Sequence, residues 1–164
     1  MTTAYLSLGS NKGDRTEYLN RALTILAQKA GTVVKVSSIY QTAAWGKTDQ
    51  PDFLNIAAEI NTGLPAEQLL NAILETEQEL GRHRTEKWGP RTIDIDILFY
   101  GNDIIDKANL VIPHPHLQER RFVLQPLNDI NPKLIHPKIK KDISTLLAEC
   151  ADPLPVTKLK DLQL

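Results

Sequence analysis

From Thr92 to Tyr100 the chain alternates with a period of two: Ile93, Ile95, Ile97 and Phe99 fall on one side, Asp94 and Asp96 on the other. Successive side chains of a strand point to opposite faces, so the segment predicts a strand with one face in a core and an acidic face turned away from it. Two more stretches share the period. Ala4, Leu6 and Leu8 alternate with Tyr5 and Ser7 until Gly9-Ser10-Asn11; from Phe53 onward Leu54, Ile56, Ala58 and Ile60 face one way and leave Phe53 and Asn55 together on the other. The β-branched run Thr32 to Tyr40 reads as a further strand, and Thr42 to Asp52, with Gly46 and Pro51, as a loop.

Apolar strand faces need cover, and two helical stripes supply it. Leu19, Ala22, Leu23, Leu26, Ala27 and Ala30 recur at helical spacing from about Arg15 to Ala30, with Asp14 and Glu17 placed to cap the start and Gly31 to stop the end. After Pro65, Leu69, Leu70, Ile73, Leu74 and Leu80 make a second stripe, interrupted by Glu77 and ended by Gly81. The order strand, helix, strand, strand, helix, strand predicts an α+β fold: a ferredoxin-like sheet with helices packed on it and C-terminal additions. Those additions are a short partner strand around Ile104-Ile105 after a Gly101-Asn102-Asp103 turn, a short helix from His116 to Leu124 before Pro126, and a last helix from Asp142 to Cys150. The segment after about residue 152 is expected to be a loosely held tail.

A chain of 164 residues fits a single domain, here 1–164, with a core that needs no disulfide or structural metal. Nineteen Lys plus Arg against twenty Asp plus Glu leave a net charge of −1, so no global field draws it to nucleic acid or to an anionic membrane, and any polyanion site must be local. The one cysteine, Cys150, excludes an internal disulfide and a multi-cysteine zinc site. No apolar run approaches the ~20 residues of a membrane span. A cytoplasmic location is the expectation.

The chemistry concentrates at the acidic face of the Thr92–Tyr100 strand. Asp94 and Asp96 stand two residues apart, roughly 6.5–7 Å along one face, and Mg²⁺ commonly takes one or two carboxylates and fills its octahedron with water and substrate phosphates. A bare Asp-x-Asp is more often a solvated strand face. Directly upstream, however, Arg82-His83-Arg84-Thr85-Glu86-Lys87-Trp88-Gly89-Pro90-Arg91 carries four permanent cations and one acid in ten residues. Guanidinium groups bind phosphate oxygens through paired hydrogen bonds, so metal-assisted phosphoryl or nucleotidyl chemistry follows. Trp88 is equally a packing residue or a cover for a nucleotide. Neither G-x-x-x-x-G-K-[ST] nor G-x-G-x-x-G occurs, so neither a P-loop nor a dinucleotide fold is indicated.

The segment Lys87-Trp88-Gly89-Pro90-Arg91-Thr92-Ile93-Asp94-Ile95-Asp96-Ile97-Leu98 resembles the signature of the hydroxymethyldihydropterin pyrophosphokinases of folate biosynthesis. Further matching pieces follow in the family's order: Gly9-Ser10-Asn11, Ser37-Ser38, Asp49 to Asn55, Gly81-Arg82, Pro113-His114 and Arg120 to Phe122. The resemblance implies transfer of pyrophosphate from ATP to 6-hydroxymethyl-7,8-dihydropterin, giving AMP and the pterin diphosphate. It implies two Mg²⁺ ions held by Asp94 and Asp96. It makes Arg82 and Arg91 catalytic, neutralising charge on the transferring group, with Arg84 and Trp88 assisting at the nucleotide. Phe53 and Phe122 become the two walls of a pterin slot, Asn55 a partner for the ring edge, and Thr42, Ala43 and Trp45 further contacts there. Glu77, Ile97, His114 and Arg120 are assigned to ATP. Without the family, Phe53 and Phe122 read as core residues, Asn55 as a turn or edge amide, and His114 as a loop residue between prolines. His83, His116 and His136 do not group by spacing and read as structural.

The chain departs from the family pattern at Asn109, where many members carry an arginine, and at Pro115, where an aromatic is familiar; both bear on ATP affinity. Trp45 and Thr85 are further variations. Two other readings compete: a different two-metal phosphoryl or sugar-nucleotide transferase, which leaves Phe53 with Asn55 unexplained, and a ferredoxin-like RNA-binding module, which the net charge and the absence of an aromatic-rich RNP pattern oppose. The expected partners are the two small-molecule substrates, with no nucleic acid and no membrane. The chain is expected to act as a monomer, with association with neighbouring folate-pathway enzymes left open.

Overall fold

The structure, a computed structural model, describes residues 1–43, 51–81 and 92–161. β1 (Thr2–Ser10) leads into α1 (Arg15–Lys29), then β2 (Thr32–Val36), β3 (Ser38–Thr42), β4 (Phe53–Thr62), α2 (Ala66–Glu79) and β5 (Asp94–Tyr100). The sheet runs β5-β1-β4-β3, with β2 also on β4. This is the expected ferredoxin-like arrangement, with β1 central between β5 and β4. Both of its pairings are antiparallel. C-terminal to it come a separate hairpin, β6 (Ile105–Lys107) with β7 (Leu110–Ile112), then a 3₁₀ turn Leu117–Glu119, α3 (Arg121–Ile130), α4 (Ile143–Glu149) and β8 (Val156–Asp161). Among the described residues no helix is long and apolar enough to cross a membrane.

The sheet is covered on both faces. Leu6, Leu8, Leu54, Ile56, Ala58, Ile60, Ile93, Ile95 and Ile97 meet Leu19, Leu23 and Leu26 of α1 and Leu69 and Ile73 of α2 in the first core. On the other face Tyr5, Ala57, Leu98 and Phe99 meet Val123, Leu124, Leu127 and Ile130 of α3 and Ile143 and Leu146 of α4. Local signals act as read: Asp14 Oδ1 accepts from Glu17 N–H at 3.2 Å at the start of α1, and Pro65 is the N-cap of α2. At Gly31, φ is +156° and a Cβ would lie 2.1 Å from the Asn61 carbonyl oxygen, so only glycine lets the chain leave α1 this close to β4.

Several expectations need correction. The run Thr32–Tyr40 is two strands in series along β4, broken at Ser37, whose hydroxyl oxygen accepts from Ala57 N–H at 2.9 Å and takes over a ladder contact. Phe99 does not share a face with Ile93, Ile95 and Ile97. Tyr5 pairs Phe99 and Leu6 pairs Ile97, so Leu98 is an extra residue, a β-bulge that puts Leu98 and Phe99 together in the second core. The Ile104-Ile105 segment pairs with β7 rather than folding back on β5. Pro126 does not end a helix; it lies inside α3, where tertiary burial of the apolar face outweighs the lost N–H bond. The expected loose tail contains β8, which pairs with β3 at the sheet edge.

Candidate active site

Along the second face each strand changes character. On β1 the residues pass from Tyr5 to Ser7 to Gly9, on β4 from Ala57 to Asn55 to Phe53, on β5 from Phe99 through the bulge to Asp96 and Asp94. The register aligns them: Gly9 lies opposite both Asn55 and Asp94, and Ser7 opposite Asp96. α3 covers the Tyr5 and Ala57 end, where Asp129 accepts from Ser38 N–H at 3.2 Å and from the Tyr40 hydroxyl at 2.7 Å. The other end opens into a cavity of about 450 Å³ lined by Thr42, Ala43, Phe53, Asn55, Asp94, Asp96, Arg120 and Phe122, together with Ser7, Gly9, His116, Glu119, Asp152 and Pro153. Eight residues singled out in the sequence therefore share one wall system.

Two walls of the cavity carry unspent hydrogen-bonding groups. Asn55 is 4% exposed and its Nδ2 has no partner among the described residues; Thr42 is 3% exposed and its hydroxyl has none among them either. A buried amide or hydroxyl without a partner costs roughly 1–3 kcal/mol, a cost that a ligand with matching polar edges removes. Gly9 keeps Asn55 in place from below: a Cβ there would lie 2.7 Å from Asn55 Oδ1 and 3.5 Å from Phe53 Cδ1. Phe53 and Phe122 border the same space, and the Arg120 guanidinium lies 5.8 Å from the Phe122 ring centroid.

At the β5 end Asp94 and Asp96 line the cavity side by side, both half-buried. Among the described residues no third His, Cys, Asp or Glu joins them to close a metal cage. Two carboxylates facing an open cavity fit magnesium, which retains water and phosphate ligands, better than a structural metal. Behind them Glu77, 3% exposed, accepts from Ile95 N–H at 2.9 Å and so braces the strand between the two aspartates. Ile97 faces the first core. Neither belongs to the cavity lining. Nor does His114, whose backbone N–H donates to the bulge carbonyl of Leu98 at 3.1 Å. Burial, then the nearby Arg120 and His116, lower its imidazole from 6.5 to about 4, so it is neutral at pH 7. Its Nδ1 accepts from His116 N–H at 3.2 Å, which leaves Nε2 as the donor.

Trp45, Arg82, Arg84, Trp88 and Arg91 lie outside the described residues. The sequence reading missed Ser7, Gly9, His116, Glu119, Asp152 and Pro153. Gly9 was legible as a turn glycine but not as a floor, and His116, read as structural, lines the cavity with its Nδ1 3.0 Å from Glu119 Oε2. An RNA-binding sheet needs an open aromatic face; here one face is covered by α1 and α2 and the other at one end by α3 and α4, and its open end pairs Phe53 with two carboxylates.

A family model described as 7,8-dihydro-6-hydroxymethylpterin-pyrophosphokinase (HPPK) matches residues 5–132. The chain is 51% identical over 128 residues to the 2-amino-4-hydroxy-6-hydroxymethyldihydropteridine pyrophosphokinase of Bacillus subtilis, covering 77% of each chain. It is 42% identical over 149 residues to that of Aquifex aeolicus, covering 91% of this chain and 92% of the relative. Among solved structures, wild-type HPPK-DHPS of Plasmodium falciparum is similar in fold, with a TM-score of 0.74 at 18% identity, covering 91% of this chain; the present chain spans 43% of that longer one. With this match over most of its length, the chain belongs to the 7,8-dihydro-6-hydroxymethylpterin-pyrophosphokinase family.

Proposed function

We propose that the cavity transfers pyrophosphate from ATP to 6-hydroxymethyl-7,8-dihydropterin, releasing AMP and the pterin diphosphate, with two magnesium ions held by Asp94 and Asp96. The observation that carries this reading is the continuity of one cavity from a carboxylate pair to a slot with two phenyl walls and an unpartnered amide. A flat heteroaromatic ring fits between Phe53 and Phe122, where stacking is favourable. Its amine and amide edge meets Asn55, Thr42 and the neighbouring Ala43 and Trp45, so the buried groups that lack partners acquire them. The hydroxymethyl substituent then points toward the carboxylates.

Asp94 and Asp96 would hold the magnesium, which would supply charge neutralisation at the ATP phosphates and a more electrophilic β-phosphorus. Arg120 adds a fixed positive charge at the cavity wall. His114, neutral with Nε2–H as donor, offers a hydrogen bond to an anion without a competing titration at pH 7. Arg82 and Arg91 neutralise the transferring group, with Arg84 and Trp88 completing the nucleotide side, and Glu77 and Ile97 contribute by fixing the strand that bears the aspartates. The positioned acceptor oxygen and phosphorus account for much of the rate, since alignment alone replaces a bimolecular encounter.

The deciding experiment is AMP formation from ATP with Mg²⁺, with and without the pterin, for wild type and Asp96→Ala. Pterin-dependent AMP that falls by about 10²–10³ in the variant is expected. Release of ADP, or no AMP from folded protein with pterin present, would sink the assignment.

A further inference from the structure

The cavity receives two residues, Asp152 and Pro153, from a segment beyond the residues 5–132 matched by the family model. This segment is bound to the first residue of α3. Arg121 N–H donates to Asp152 Oδ2 at 3.1 Å, Arg121 Nε to the Asp152 carbonyl at 3.3 Å, and its terminal NH₂ to the Cys150 carbonyl at 2.9 Å. The other Asp152 oxygen accepts from Leu154 N–H at 3.0 Å.

Helices begin with unsatisfied N–H groups that a side-chain oxygen at the N-cap usually accepts. The N-cap of α3 is Arg120, which offers none. Asp152, 31 residues beyond Arg121, supplies the missing oxygen, and its charge suits the positive end of the helix. The bonded residue, Arg121, is flanked by Arg120 and Phe122, which both line the cavity. Phe122 follows inside the helix, whereas Arg120 precedes it with an extended backbone (φ −124°, ψ 105°), so the cap fixes Phe122 first. Just past the latch the chain enters β8, where Val156 pairs with Thr42, a residue of the opposite wall. One short stretch is therefore tied to both sides of the slot.

We propose that Asp152 is a positioning residue for the acceptor slot: by capping α3 it sets the stance of Phe122 against Phe53, and through β8 the same stretch holds Thr42 opposite. The inference rests on the pterin reading of that slot. A wall that must be ordered on binding lowers affinity by the ordering cost, and a wall ordered beforehand does not. Loss of the cap loosens the N-terminus of α3 and leaves the metal-side aspartates on β5 untouched.

The test is steady-state kinetics and thermal melting of Asp152→Ala and Asp152→Asn, with acceptor binding measured by calorimetry in the presence of a non-hydrolysable ATP analogue. Losing a cap costs about 1 kcal/mol, so KM and Kd for the pterin should rise roughly fivefold in Asp152→Ala and less in Asp152→Asn, which keeps one acceptor oxygen. KM for ATP should move much less, and the melting temperature should fall by only about 2–4 °C, the shift that a lost cap of this size implies. Equal rises in both Michaelis constants, or a lowered melting temperature with pterin affinity unchanged, would overturn the proposal. Should Asp152→Ala fail to fold, Asp152→Asn decides by the same two ratios. A wild type without pterin-dependent AMP formation defeats the reading of the site itself; an active wild type with unaffected Asp152 variants defeats this inference alone.

Discussion

The two faces of the sheet use the same three strands in opposite ways. Toward α1 and α2, the alternate residues Ala4 to Leu8 of β1, Leu54 to Ile60 of β4 and Ile95 to Ile97 of β5 are aliphatic and form one continuous core. Toward α3 and α4, the residues between them form a core at one end only; beyond it come a serine, a glycine, an asparagine and two aspartates around open space. The first face carries stability and the second carries chemistry, separated by a single step along the chain. Neighbouring residues should therefore respond to substitution in different currencies.

The largest effect is expected from Ile56→Ala, 1% exposed on the first face. It removes buried methyl groups and leaves a cavity, costing about 2–5 kcal/mol in urea unfolding, while turnover per folded molecule stays near wild type. Its neighbour on the other face should do the reverse. Asn55→Leu keeps the size and removes a buried donor without a partner, so stability should hold or rise slightly, while pterin affinity falls by about 10- to 100-fold, the cost of 1–3 kcal/mol for an unmade buried bond. If Asn55→Leu unfolds the protein while Ile56→Ala abolishes binding, the division of labour between faces is wrong.

Gly9→Ala sharpens the boundary. The added methyl would sit 2.7 Å from Asn55 Oδ1, so the amide must rotate. Pterin KM should rise severalfold with little loss of stability, and unchanged kinetics would mean that Asn55 does not set recognition.

The smallest effect concerns the closed end of the second face. His136 is 3% exposed, its ring edge-to-face with Phe99 at 5.6 Å, and its Nδ1 accepts from Lys138 and Ile139 N–H at 3.1 and 3.0 Å. Burial first, then Lys138, lowers its pKa below 6.5. The unfolded chain thus takes up the proton before the folded one does, so stability present above about pH 6.5 declines as pH falls below it. Urea midpoints at pH 7.5 and 5.5 should show this drop in wild type and a smaller one in His136→Asn, whose amide oxygen keeps the acceptor.

What was legible in the sequence follows the same division. The apolar face announced itself by period, and Asp94, Asp96, Phe53 and Asn55 stood out because they broke that pattern on its other side. α1 was readable from Asp14 to Gly31 since its signals are local. The missed features are those set by distant partners: β8 has an exposed, lysine-bearing sequence that becomes a strand only against β3, Pro126 is tolerated because α3 is pinned by burial, and Asp152 acquires a role only when folding brings it to Arg121.

The extra residue at Leu98 also bears on which length changes this protein tolerates. Surface loops absorb insertions and deletions at little cost, but β5 carries its spare residue inside a buried strand. Removing Leu98 would restore perfect alternation and force a choice: the aspartates keep their cavity and Phe99 turns into the aliphatic core, or Phe99 keeps its place and both carboxylates rotate under α1 and α2. A one-codon deletion there is thus a reading-frame error in three dimensions, expected to be far more damaging than any substitution at the same position.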